Sequence, residues 1–238
     1  MPSLDAVARK LRRSLDEKDR QRERALAACR EVQRDAKLAI KRIHRGEDPS
    51  PLLDATLRRA RVLGRQLARH PEVEAMRFVG EMQEELAEAV LVRALLEKRP
   101  LPDPSELPVT PEAYLLGMGD AIGELRRACL DRIRRGDDAG AQRVLRQMEE
   151  LFSTLVQFDH PAAVADVRRK QDVARALVER TQGEVAVAVG GRRLEKKIED
   201  LSSMLDELEG RKPSRKGKGR GQGKGGEDLD VDSAWGSR

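Results

Sequence analysis

Two pairs of carboxylates stand at helical spacing in this 238-residue chain. Asp120 and Glu124 lie one turn apart in MGDAIGELRR (118–127), with Gly123 between them and Arg126 and Arg127 directly after. Glu85 and Glu88 lie three apart in GEMQEELAEAVLVRALLEK (80–98). At about 100° per residue, each pair shares one face of its helix. A single such pair is an ordinary hydrated surface. Two pairs that converge are a different matter. Like charges about 4 Å apart repel by about 4 kcal/mol at an effective dielectric near 20, so they require a cation or a shared proton. Four oxygen donors without Cys or His favour a hard ion, Mg²⁺ or Mn²⁺. Such an ion can activate water and offset the charge that builds on a phosphate during hydrolysis. Spacing puts each pair on a face; it does not bring the two faces together.

The elements that must do so are helices. Charged residues make up 37% of the chain and aromatics 2%, with the unbranched helix formers Ala, Leu, Arg and Glu abundant. Strands usually recruit the aromatic and β-branched residues that are scarce here. The pattern predicts an all-α chain of seven helices, over about 4–45, 51–69, 72–98, 112–135, 138–157, 162–189 and 191–208. Gly46 and the prolines of DPSP end the first helix. KRPLPDPSELPVTP (98–111), with five prolines, separates the third from the fourth. On the fourth helix the apolar stripe is Leu115, Met118, Ile122, Leu125, Cys129 and Ile133, so Asp120 and Glu124 point away from it, with Arg127 beside them. On the third helix Phe78, Met82, Leu86, Ala89, Val90 and Leu96 form the stripe. Glu85 and Glu88 flank it, while Glu84 points further toward water.

A core of Leu, Ala and Val without large rings is thin, which predicts cover by partner subunits. The net charge of +5 is concentrated in a low-complexity tail. RKPSRKGKGRGQGKGG (211–226) holds seven basic residues and no acid, and 1–210 carries 39 basic against 38 acidic residues. The expected organisation is therefore a helical domain over 1–210 and a disordered basic tail over 211–238. Cys29 and Cys129 sit in helical periodicity and read as buried small apolar side chains. No apolar run approaches a membrane span and no charged-then-apolar leader opens the chain, so a soluble, cytoplasmic protein is expected. His44, His70 and His160 fall at helix ends and read as capping or terminal residues. Arg127 is the preferred phosphate contact and Arg126 the second, although pairing of these arginines with acids such as Asp131 is an equal alternative. Tyr114 and Trp235 provide no stacking platform for bases.

VTPEAYLLGMGDAIGELRRACLDRIRRGD (109–137) resembles the most distinctive segment of the translin family, on the side of its translin-associated factor X (TRAX) branch. QEELAEAV (83–90) is similar to that branch's acidic motif. DRQRERALAACREVQRDAKLAIKRIHRG (19–46) and RRKQDVARALVERTQGEV (168–185) are similar to the family's first and later helices. The likeness runs in order over about 15–208. It implies a seven-helix translin-like bundle that assembles into a closed oligomeric shell, a homo-oligomer and an octamer by family resemblance, around an internal chamber. It also implies binding of single-stranded RNA or DNA and, for the TRAX branch, Mg²⁺-dependent endoribonuclease activity. By that resemblance Glu85, Glu88, Asp120 and Glu124 are the catalytic and metal-binding residues. The run Gln83-Glu84-Glu85 departs from the family pattern by placing Glu at the usual Gln position, which leaves Glu84 and Glu85 as competing candidates. Two other readings stand beside the nuclease: a noncatalytic nucleic-acid-binding protein, and a helical adaptor whose basic tail does the binding.

Overall fold

A computed structural model describes residues 3–161 and 166–210, and every regular element among them is helical. In order these are α1 (Leu4–Arg45), α2 (Ser50–Leu67), the single turn α3 (Pro71–Glu74), α4 (Arg77–Leu96), a 3₁₀ turn (Pro104–Glu106), α5 (Pro111–Arg134), α6 (Asp138–Leu155) and α7 (Arg168–Gly210). The expected basic tail and Trp235 lie outside the described residues.

The number of helices agrees with expectation for an unexpected reason: one predicted helix splits and two merge. The third breaks at Ala75 and Met76, where Met76 takes an extended conformation before α4. The sixth and seventh fuse into α7, which runs straight through Gly190 and Gly191. Two glycines in a helix interior cost about 1 kcal/mol each relative to alanine. Strong helix formers on both sides outweigh that cost.

Local chemistry sets the other boundaries. Gly46 ends α1 in the left-handed region at φ 72°, and its N–H and that of Glu47 donate to the carbonyls of Ile43 and Arg42. Thr110 caps α5 by accepting from the Ala113 N–H at 3.2 Å, with Pro111 in the first turn. The Thr110 N–H itself donates to the Gln83 side chain of α4 at 3.2 Å, which ties the start of α5 to the middle of α4.

Helix α4 organises the core because its apolar residues go nearly all round it. Val79, Met82, Leu86, Ala89 and Val90 join Cys29, Val32, Ala36 and Ala39 of α1 and Leu53, Ala60 and Leu63 of α2 in one buried cluster. Leu91 and Val92 join a second cluster with Ile122 and Leu125 of α5, Val144 and Met148 of α6 and Ala174 and Val178 of α7. Cys29 and Cys129 are buried free thiols, as expected. Burial raises the Cys29 thiol to about 11, so it is an inert apolar side chain. By compactness the described chain divides within α7, between Arg193 and Leu194.

Candidate active site

The glycines of YLLGMGD explain how the two acidic helices approach. A Cβ on Gly117 would stand 2.7 Å from the Glu84 carbonyl oxygen and 2.9 Å from the Glu88 backbone nitrogen. The α5 backbone therefore lies directly against the acidic stretch of α4. Two residues on, a Cβ at Gly119 would meet the Lys170 Cβ at 2.9 Å, so α7 comes equally close. With these bare positions on opposite sides of α5, one against α4 and one against α7, the next residue, Asp120, is delivered to where both helices reach it.

Lys170 fills that junction. Its ammonium donates to both oxygens of Asp120, at 2.5 and 2.6 Å, and to the Glu84 carboxylate. Glu84 thus does not point further toward water; its side chain is only 18% exposed and faces Asp120 across a shared lysine. Rotation about its own helix sends Glu84 outward, but α5 and α7 cover that direction. The mate expected for Asp120, Glu85, turns instead to α1 and accepts from Lys37 Nζ at 2.9 Å. Glu124 also meets α1. His44 Nε2 lies 2.5 Å from Glu124 Oε2, and the His44 side chain is 5% exposed. His44 is accordingly a buried partner of a site carboxylate, not a cap. Arg127 is exposed and lies 3.8 Å from Glu124 on the same face.

Arg126 does not belong to this face. Its guanidinium donates to the Thr181 hydroxyl at 2.6 Å and to Glu184 at 2.9 Å, both on α7, and it is largely buried. It is a helix clamp, and the expected phosphate contact is withdrawn for this residue. Asp131 is taken by Arg134 instead.

The electrostatics separate the carboxylates. Burial raises Glu88 first, and the neighbouring charges of Asp120, Glu85 and Glu124 raise it further, to about 8. Burial also raises Glu84, helped by Asp120 and opposed by Lys170. Glu124 moves the other way, held below the usual carboxylate range mainly by its hydrogen bond from His44. Burial disfavours the Lys170 charge, but its bonds to Asp120 and Glu84 outweigh that and lift its pKa.

The donor set is all oxygen, it carries excess negative charge, and an ammonium already occupies the junction, so its chemistry fits a hard divalent ion. Among the described residues no three His, Cys, Asp or Glu side chains converge on one point at ligand distance. Lys170 instead joins Glu84 to Asp120, while Lys37 draws Glu85 and His44 draws Glu124 toward α1. Sequence reasoning missed all three of these partners. The one available signal was the pair of bare positions flanking Met118, which announces close neighbours on both sides of α5.

Residues 65–185 match the model of the Translin family, just over half of the chain. The chain belongs to the Translin family. The translin match contains Glu84, Glu85, Glu88, Asp120, Glu124 and Lys170, while Lys37 and His44 precede it. This translin-family chain is 32% identical over 186 residues to an uncharacterised protein of Methanocaldococcus jannaschii, covering 76% of this chain and 82% of that one. Its structure is similar to AfC3PO, solved alone and in a complex with duplex RNA. For both the TM-score is 0.67 and the identity 30%, over 78% of this chain and 98% and 97% of those chains. Apo-NeC3PO superposes with a TM-score of 0.67 at 18% identity, over 79% of this chain and 98% of that one, a likeness of fold. Among the described residues no helix is long and apolar enough to cross a membrane.

Proposed function

We propose that this translin-family chain is a TRAX-like, metal-dependent endoribonuclease that binds and cleaves single-stranded RNA inside an oligomeric shell. The observation that carries the reading is the meeting of α4 and α5 carboxylates at Lys170, beside a Glu88 that burial first, and the neighbouring acids second, keep protonated near neutral pH. Carboxylates spread over a surface for solubility do not perturb one another in this way. The complex of AfC3PO with duplex RNA supports RNA as the ligand class.

Asp120, Glu124 and Glu88, with Glu85 or Glu84, would hold Mg²⁺ or Mn²⁺. When bound, the ion would offset charge developing on a phosphodiester and make water more acidic. The remaining roles belong to the chain itself. Without an ion the Glu88 carboxyl keeps its proton up to about pH 8, a proton that a bound cation would displace. His44 fixes the rotamer of Glu124 and keeps it ionised. Arg127, exposed beside Glu124, is placed to steer a phosphate backbone toward the acids.

A specific observation favours a second reading, a noncatalytic RNA- or DNA-binding protein. Lys170, Lys37 and His44 already partner Asp120 with Glu84, Glu85 and Glu124, so the cluster can persist as structure alone. One experiment separates the two. Labelled single-stranded and duplex RNA are incubated with the wild type, Glu124→Ala and Asp120→Asn, in Mg²⁺ or EDTA. The nuclease reading expects single-strand shortening only in Mg²⁺, reduced by about 100-fold or more in each variant, with RNA affinity retained. Binding without shortening, or undiminished cleavage by the variants, removes it.

A further inference from the structure

Two exposed apolar stripes remain at opposite ends of the sequence, both outside residues 65–185 that match the family. On α1 the stripe is Leu4, Ala8, Leu11 and Leu15, flanked by Val7; on α7 it is Leu194, Ile198, Leu201 and Leu205, flanked by Met204. The intervals are four, three and four in both, the spacing of a coiled-coil seam. The six leucines and one isoleucine of these stripes are each 58–85% exposed, so no described residue covers them. Surface helices seldom leave so regular a seam bare.

The α1 stripe is also in register with that helix's core. Continuing the four-three alternation from Leu15 passes Lys18 and Arg22 and reaches Ala25, Cys29, Val32, Ala36 and Ala39, all buried. The outer stripe is thus the free end of a seam already used for packing. On α7 the exposed stripe lies one position earlier than the phase of Ala174, Val178, Thr181 and Val185, about 100° round the helix. It is a separate face.

Charge selects the partner. Leu4–Leu15 carries Arg9, Lys10, Arg12 and Arg13 against Asp5, a net +3. Residues 194–207 carry Glu195, Glu199, Asp200, Asp206 and Glu207 against Lys196 and Lys197, a net −3. Either stripe meeting its own kind sets like charges together, whereas α1 against α7 sets opposite charges together. Antiparallel alignment also satisfies the flanks. With Leu4 opposite Leu205, Ala8 opposite Leu201, Leu11 opposite Ile198 and Leu15 opposite Leu194, the edge positions bring Arg12 to Glu195 and Val7 to Met204. The second pairing matches two apolar residues that would otherwise stay wet.

We propose that the α1 stripe of one copy of this chain and the α7 stripe of another form an antiparallel two-helix coiled coil that joins subunits. Each copy carries one basic and one acidic arm, so a closed assembly leaves no arm unpaired.

The test uses the full chain with two distinguishable tags. Leu11→Cys in one tag background and Ile198→Cys in the other are mixed and oxidised. The expected product is a disulfide-linked dimer carrying both tags, with little self-linking by either variant alone; Cys29 and Cys129 are buried and serve as the background. Predominant Leu11→Cys or Ile198→Cys self-linking, no linking, or a disulfide within one chain that carries both cysteines would overturn the proposal. Sedimentation supplies a second measure. Arg12→Glu is expected to weaken self-association at least tenfold without loss of helicity, and Glu195→Arg in the same chain to restore it. Unchanged association in Arg12→Glu, or no restoration, counts against the arms.

Discussion

Among the described residues two ion pairs join α7 to α5, and their stoichiometry differs. At Arg126 one carboxylate, Glu184, accepts from two guanidinia, Arg126 and Arg180, and Arg126 also donates to the Thr181 hydroxyl, which in turn donates to the Leu177 carbonyl. Positive charge is in excess there, and no carboxylate goes without a cation. At Lys170 one ammonium serves Glu84 and Asp120, so two carboxylates share one cation, with the buried and protonated Glu88 close by. Both contacts join the same two helices. A structural clamp needs only the first arrangement, and the surplus of negative charge in the second is what a clamp would avoid. It marks the contact whose chemistry extends beyond holding helices together.

Substitutions can break or sharpen this contrast. The largest effect is expected at Gly117, on which the acidic junction depends and the clamp does not. Gly117→Val must push α4 away from α5 against backbone atoms and should cost about 3 kcal/mol or more in urea unfolding. Next comes the pair of cation deletions. Lys170→Met should lose about 2–3 kcal/mol in EDTA, a figure discounted because Asp120 is about one-third exposed. Arg126→Leu should lose about 1–2 kcal/mol, since Glu184 is already paired with Arg180 and can reach water. Under the metal reading, Mg²⁺ raises the Tm of Lys170→Met and leaves that of Arg126→Leu unchanged. Equal responses from the two variants would erase the distinction.

A smaller effect follows from Glu88. Below its ordinary value of 4.5 the carboxyl is protonated whether the chain is folded or not. Between 4.5 and about 8 the folded chain retains a proton that the unfolded chain has released, so this group's stabilisation falls as pH rises and is gone above 8. The slope is at most about 1.4 kcal/mol per pH unit. Glu88→Gln should flatten the dependence of Tm on pH across that window. The smallest effect is expected at Arg20, whose pairing with Glu17 lies on the exposed part of α1; Arg20→Ala should leave Tm unchanged.

What the sequence discloses about this molecule follows the range of the interactions involved. The end of α1 at Gly46 and the start of α5 at Thr110-Pro111 are set by a few adjacent residues, and both can be read directly. The stripes of α4 and α5 emerge the same way, because burial follows helical period. The fusion across Gly190-Gly191 is hidden because a cost of about 2 kcal/mol is decided by the helix formers around it. Glu84 shows the limit most plainly. Its direction about its own axis is correctly outward, yet outward from α4 is inward between α5 and α7. Lys37, His44 and Lys170 are separated from their acids by 48, 80 and 50 positions, and no local pattern pairs them. Family likeness supplied the acids but not their protein-borne counter-ions.

Helix α1 bears a further consequence. It is one unbroken rod of 42 residues, with no proline or glycine inside it to act as a joint. Near one end it grips Glu85 through Lys37 and Glu124 through His44. A sideways or lengthwise load applied at its opposite extremity cannot be absorbed along the way, and must be felt as torque where those two carboxylates are held.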